Sequence, residues 1–259
     1  MSNRRKQQIL SLLNSSGFLS AQDLAKHFNV STETIRRDLV SMEEEGLLKK
    51  IRGGAVATTH TVSEIVYQNR KTLFPGEKRE IARAAAELVK DGDTVIIMSG
   101  TTTLAMAEFL AEKKDLTVIT NSILLAAELA NYESINIHCL GGHVRNGNYS
   151  ISGSLALQNA GIFNADKLIT GVGGLTAEQG ITDFILDEAM LLRCCMEAAA
   201  EVIALADHSK FDTSTMYNVC PAKRIQHLVT SSLVPSSTLE QYHKLGIQIH
   251  TAALPQTSS

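Results

Sequence analysis

The chain has 259 residues, 44% of them hydrophobic and 20% charged, with a formal net charge of −3. That is a globular composition, and no window approaches the roughly eighteen uninterrupted apolar residues of a membrane-spanning helix. Met1 to Lys6 lead into glutamines rather than an apolar signal core, so no membrane is expected and the expected location is the cytoplasm.

The net charge hides an asymmetry. Residues 1–56 hold nine Lys or Arg against six Asp or Glu, a balance of +3, and the remainder holds 15 against 21, a balance of −6. A basic head on an acidic body suits a small DNA-binding module joined to a domain with another task. The four cysteines, at 139, 194, 195 and 220, form no CxxC pair and have no metal-ligand spacing. Cys194 and Cys195 read as buried thiols, and neither a metal nor a cofactor is expected.

In chain order, Arg4 to Asn14 place Ile9, Leu12 and Leu13 on one helical face and end in the Asn14-Ser15-Ser16-Gly17 breaker. A second helix starts at Ser20, where Ser20 and Asp23 resemble a capping box, and buries Leu24 and Phe28. Asn29-Val30 is a short turn into a third helix capped by Ser31. Ile35, Leu39 and Met42 recur there at helical spacing and face inward, which leaves Thr32, Glu33, Arg36 and Arg37 on the exposed N-terminal half. In a helix-turn-helix that half of the second helix enters the major groove. Leu47 to Val56 then gives two β-prone runs around Gly53-Gly54, a hairpin or wing in which Lys49, Lys50 and Arg52 would meet phosphates.

Here the order S-x-x-T-I-R-R-D-L, then a charged stretch, then G-L-L-x-x-x-x-G-G-A, resembles the head of the DeoR-type family of bacterial sugar-responsive transcriptional repressors. By the match of Ser31, Thr34, Ile35, Arg36, Arg37, Asp38 and Leu39, the resemblance implies a winged helix-turn-helix head, residues 1–57.

Residues 58–76 read as a linker, with a short helix from Ser63 to Leu73 carrying Ile65, Val66 and Leu73 toward a partner surface, and Phe74-Pro75-Gly76 as a break. From 77 to 253 helical and apolar segments alternate. The expected strands are Thr94–Met98, Leu116–Ile119, Ile135–Leu140, Lys167–Ile169, Val202–Leu205, Leu228–Val229 and Ile247–Ile249. That alternation predicts a largely parallel α/β sheet with helices on both faces.

Ligands in such sheets bind beyond the carboxyl ends of the strands, where this sequence collects small and polar residues. These are Ser99, Gly100, Thr101, Thr102 and Thr103; Thr120 and Asn121; Gly141 and Gly142; and the run Gly171-Val172-Gly173-Gly174. Hydroxyls and backbone N–H groups at Ser99 to Thr103 can hold an anion, with Gly100 allowing close approach. The segments Asp91-Gly92-Asp93, Ser99 to Thr102, Val118 to Ser122, Gly141-Gly142 with Arg145, and Ala206-Asp207-His208-Ser209-Lys210-Phe211 resemble the effector domain of the same family. That resemblance implies a fold similar to ribose-5-phosphate isomerase and a phosphorylated sugar or sugar derivative as effector. The family often has a Lys-Arg pair after the Glu188-Ala189 step, and here Leu192 stands before Arg193.

Two functions compete at this level. The first is a homodimeric or homotetrameric repressor that binds double-stranded operator DNA and is released by the sugar phosphate, with no catalytic residue. The second is a sugar-phosphate isomerase with an accessory head, using Asp183, Asp187 and Glu188 for acid-base work and Lys210 for charge stabilisation. Arg36, Arg37 and a basic wing serve only the first.

Overall fold

The computed structural model describes residues 3–16, 18–45, 47–51, 53–57 and 70–254. Arg52 and most of the expected linker, with Ile65 and Val66, lie outside the described residues. In the head, α1 (Asn3–Ser16), α2 (Ala21–Phe28) and α3 (Thr32–Glu44) pack on a small antiparallel sheet. The starts of α2 and α3 have their expected caps. Ser20 Oγ accepts the Asp23 N–H at 3.0 Å, and Ser31 Oγ accepts the Thr34 N–H at 3.1 Å. Asn29 makes the turn between α2 and α3 in a left-handed conformation, φ 51°, which asparagine tolerates. Ile9, Leu13, Leu24, Ile35, Leu39, Met42 and Leu48 form the core of the head. Each such aliphatic side chain contributes about 1.5–3 kcal/mol on burial.

The hairpin is β2 (Leu48–Ile51) with β3 (Gly54–Ala57), paired Leu48 to Ala57 through Ile51 to Gly54. A strand absent from the sequence reading, β1 (Phe18–Ser20), lies on the other side of β3. Gly54 is obligatory at that junction, because a Cβ there would stand 2.1 Å from the Leu19 carbonyl oxygen.

The body is built on seven strands, β4 (Thr94–Ile97), β5 (Leu116–Thr120), β6 (Ile135–Cys139), β9 (Ala165–Gly171), β12 (Ala199–Leu205), β14 (His227–Ser231) and β15 (Gln248–Ala252). All pairings between them are parallel, in the spatial order β15-β14-β12-β9-β4-β5-β6. Strand alternation feeds two cores, one on each face. Ile96, Leu168, Val202 and Leu228 enter one, and Val95, Ile97, Ile169, Ile203 and Val229 enter the other. All seven expected strands are present.

Two further pieces sit outside that sheet: the hairpin of β7 (His143–Arg145) and β8 (Ser150–Ser152), and an antiparallel sheet of β10 (Gly174–Thr176), β11 (Gly180–Asp183) and β13 (Tyr217–Cys220). The first helix of the body, α4 (Pro75–Glu87), begins two residues before the expected boundary. Proline is pre-set for a first helical turn, so the break predicted at Pro75 is a helix start. Residues 70–72 are helical, and Leu73 after them is 39% exposed. Cys195 and Cys220 are buried, Cys194 half-buried and Cys139 exposed on the edge strand β6. Among the described residues, no helix is long and apolar enough to cross a membrane.

Candidate functional site

On the head, Ile35, Leu39 and Met42 turn inward, which forces Glu33, Arg36 and Arg37 outward into solvent with Ser31, while Thr32 and Thr34 are half-buried. Arg37 Nε lies 3.4 Å from Glu33 Oε1, an exposed one-turn pair worth at most about 1 kcal/mol, so the guanidinium is readily given up to a stronger anion. Asp38 points the other way, 6% exposed and bridged to Arg5 at 2.7 Å, which ties α1 to α3. Lys6 pairs with Glu45. Arg5 and Lys6 therefore hold the head together, while Lys49 and Lys50 on β2 are exposed beside α3.

On the body, β5 and β6 lie to one side of β4, while β9, β12, β14 and β15 lie to the other. The chain thus reverses its direction of growth between β4 and β9, and a crevice opens at the carboxyl ends where connections diverge. Ser99 follows β4 at this point, and the short helix α5 (Thr101–Leu104) starts beside it. The Ser99 hydroxyl is buried with no hydrogen-bond partner among the described residues. A buried donor left over at a switch point is what a ligand would satisfy.

Two other hydroxyls of the rim, those of Thr103 and Thr120, are spent on the protein itself. Thr103 Oγ1 donates to the Met98 carbonyl at 2.7 Å, and Thr120 Oγ1 to the Ile97 carbonyl at 2.6 Å. Asn121 accepts the Ser99 N–H at 2.7 Å and donates to the Ile151 carbonyl at 3.1 Å. These three shape the loop that presents Ser99, Thr101 and Thr102. Gly100 has φ 179°, ordinary extended backbone, so its lack of a side chain, not its freedom, is what counts. Gly173 is needed for packing: a Cβ there would stand 2.8 Å from the Thr182 carbonyl oxygen and 3.1 Å from Asp183 Cα. Gly141 and Gly142 follow β6 at the far edge of the sheet, away from the switch point.

A carboxylate group lines one wall. Glu188 Oε1 accepts from Arg145 at 2.7 Å, from Ser150 Oγ at 2.7 Å and from Asn148 Nδ2 at 3.0 Å. Burial, together with the nearby Glu188 charge, pushes Asp183 up to about 7, against the Ile185 N–H and Arg70. Arg70 also donates to Asn148 Oδ1 at 2.8 Å, which ties the end of the linker to this wall.

Cations gather beside it, and two of them, Lys78 and Arg70, were not foreseen. Lys78 sits on α4, 6% exposed, with its Nζ donating to the Arg70 carbonyl. Burial lowers it to about 8, with Lys210 and Arg70 pushing the same way and Asp207 and Glu77 opposing. Burial raises Asp207, but Lys210, Lys78 and the Ser209 hydroxyl outweigh it and hold the carboxyl below its ordinary range. Lys78 thus has Lys210 and Arg70 as cationic neighbours, with the buried carboxylates of Asp207 and Glu77 beside it as countercharge. Leu192, where the family pattern often has lysine, is 3% exposed in the core, and Arg193 donates to the Val219 carbonyl at 2.9 Å, so neither adds to the crevice.

Comparison with known proteins covers both halves. A family model described as DeoR C terminal sensor domain matches residues 74–232, and one described as DeoR-like helix-turn-helix domain matches residues 5–61. The transcriptional repressor AccR of Agrobacterium fabrum is 35% identical over 229 residues, 88% of this chain and 89% of that protein. The HTH-type transcriptional repressor GlcR of Bacillus subtilis is 34% identical over 241 residues, 93% of each chain. The glycerol-3-phosphate regulon repressor of Escherichia coli is 31% identical over 237 residues, 92% of this chain and 94% of its own. Among solved structures, ribose 5-phosphate isomerase A from Methanocaldococcus jannaschii superimposes with a TM-score of 0.39 at 18% identity, over 52% of this chain and about half of that enzyme, 53%.

Proposed function

That the chain belongs to the DeoR family of transcriptional repressors is the premise from which we propose that it silences a carbohydrate operon until a phosphorylated sugar binds its body. It is a DNA-binding regulator and not an enzyme. The observation that carries the effector reading is the buried, unpartnered Ser99 hydroxyl at the β4–β9 switch point, and the charged groups around Arg70, which neighbours both Lys78 and Asp183, support it. A phosphate would take the cations and the Ser99 and Thr102 hydroxyls, and sugar hydroxyls would take the carboxylates.

On the DNA side, Arg36 reads base edges with Ser31, Thr32, Thr34 and the Glu33–Arg37 pair around it, and Lys49, Lys50 and Arg52 hold phosphates. The working form is a cytoplasmic homodimer or homotetramer that sets two recognition helices over successive major grooves. Residues 58–76 connect the two tasks, since Arg70 reaches into the effector crevice from the linker's end.

The isomerase alternative has a specific obstacle besides the relatives. Glu188 Oε1 already accepts from Arg145, Asn148 and Ser150, so that oxygen is committed to holding the protein together rather than open to a substrate proton. The test is a DNA-shift assay on the upstream region of the neighbouring operon, titrated with sugar phosphates and their unphosphorylated parents. Release by a phosphorylated sugar alone is expected; release by both forms alike, or turnover of the sugar, refutes the reading.

A further inference from the structure

Among the described residues the head meets the body at Phe184, Asp212 and His208, each within two residues of Asp183, Lys210 or Asp207. The ring of Phe18 on β1 stands 6.1 Å from that of Phe184, the residue after Asp183. The wing turn comes against the segment after Lys210, since a Cβ on Gly53 would be 3.1 Å from the Asp212 carbonyl oxygen. Asp23 on α2 places Oδ1 4.0 Å from Nε2 of His208. From the body side His208 is fixed: its Nδ1 lies 2.7 Å from Glu77 Oε2, its N–H donates to Glu77 Oε1 at 2.8 Å, and its ring stands edge-on to Phe74 at 4.5 Å. Glu77 is 5% exposed and also accepts from Ser231, so the imidazole is held with its second nitrogen toward the head.

We propose that this contact is an autoinhibitory dock, in which the body occupies the wing turn and the chain Glu77–His208–Asp23 holds the head in place. It rests on the reading of residues 48–57 as a DNA-contacting wing. A turn pressed on Asp212 has no room to lie along a groove, while Arg36 and Arg37 stay exposed throughout. An effector bridging Lys210 and Asp183 steadies the two loops on which the head rests, and so favours the docked state over the DNA-bound one. By linkage, DNA then weakens the effector by the same factor.

The charged groups facing His208 are Glu77 from α4, Asp23 from α2 and Asp207 from its own loop, all acidic. The Glu77 hydrogen bond raises the imidazole above its ordinary value against the cost of burial. Of these groups only Asp23 leaves when the head undocks, so its attraction for the charged imidazole is the pH-dependent part of the dock; it holds while His208 is protonated and is lost as pH rises through the raised value, and the dock loosens toward alkaline pH.

The chain has no tryptophan, so Phe18→Trp supplies a single emitter at the dock. In the full chain its emission is expected to be blue-shifted at about pH 6 and to move red toward about pH 9, with a midpoint above about 6.5. Asp23→Asn in that background should already be red-shifted at the acid end, and His208→Gln should abolish the step. Asparagine keeps an acceptor for Ser20, so the α2 start survives. Without the tryptophan, amide exchange of residues 208–213 at fixed pH should be faster in Asp23→Asn than in the parent. Emission and exchange both unmoved by Asp23→Asn, or a pH step that survives His208→Gln, overturn the dock. Binding to a random-sequence duplex tests the inhibition separately. Asp23→Asn should tighten it severalfold more than Glu44→Gln, an equal charge change on the exposed end of α3, and equal gains overturn the inhibitory role.

Discussion

Replacing Lys78 with glutamine is the sharpest probe of the crevice, because the residue is buried, charged at neutral pH and untouched by DNA. Its Nζ has one fixed acceptor, the Arg70 carbonyl, and donors to spare for an anion. Losing a hydrogen bond to a charged group costs about 1.5–3 kcal/mol, so sugar-phosphate affinity should fall roughly 10- to 150-fold. The pH dependence gives an independent check. With Lys78 lowered to about 8, the parent protein holds its phosphate affinity below that value and loses it above. Between about pH 7 and 9 the loss should approach tenfold, since the protonated fraction falls from roughly nine-tenths to one-tenth. Stability runs the opposite way. Unfolded lysine titrates near 10.5, so the unfolded chain binds more protons between about 8 and 10.5, and the parent gains stability as pH rises through that window. Calorimetry of ribose 5-phosphate, glucose 6-phosphate and glycerol 3-phosphate against parent and Lys78→Gln, at both pH values, reads all of this. Undiminished affinity in the variant, or the same pH slope in both proteins, would refute the reasoning.

Three further outcomes follow from the geometry. Arg36→Ala should cost about 1–3 kcal/mol on the operator and relax preference at one base pair, read by gel shift on single-base operator variants; a uniform loss across all sequences would make Arg36 a phosphate contact. Lys50→Ala should weaken every duplex alike and reduce the slope of log affinity against log salt by about 1, and an unchanged slope would remove β2 from the interface. Leu39→Ala, at a site 1% exposed in the head's core, should destabilise the head by about 2–5 kcal/mol while leaving sugar-phosphate affinity alone; a single melting transition in which both properties fall together would show the two halves folding as one.

The seven strands of the body were legible because a sheet buried on both faces needs near-continuous apolar runs such as Thr94 to Met98. The recognition helix was legible because one stripe, Ile35, Leu39 and Met42, is apolar and its cap is a serine. Three-residue strands such as β1, β7, β8 and β10 are too short to carry a period of their own, and β1 also has its partner far along the chain: Phe18 pairs with Val56. Lys78 escaped for a related reason. Glu77-Lys78-Arg79-Glu80 reads as a solvated charge run, yet three of the four are buried, because α4 lies under the loop of Asp207 and His208. Glu77 and Lys78 find their countercharges more than a hundred residues away, at His208 and Asp207. The threonines do follow β4 and end β5, but spacing alone does not tell a hydroxyl that meets a ligand from one, like Thr120, that closes a loop.

The strand order has a consequence during synthesis. Emerging from the ribosome, β4 finds β5 and then β6 on one side, while its other flank waits for β9. At about 5–20 residues per second, making the chain from Ile97 to Ala165 takes roughly 3 to 14 s. For that interval the centre of the finished sheet is an edge, with unpaired amides and the apolar side chains of Val95, Ile96 and Ile97 uncovered on that side. Nascent chains are therefore most open to self-pairing and to chaperone capture in this window, and a slow codon run placed between residues 97 and 165 would lower the soluble yield more than the same run placed after β12.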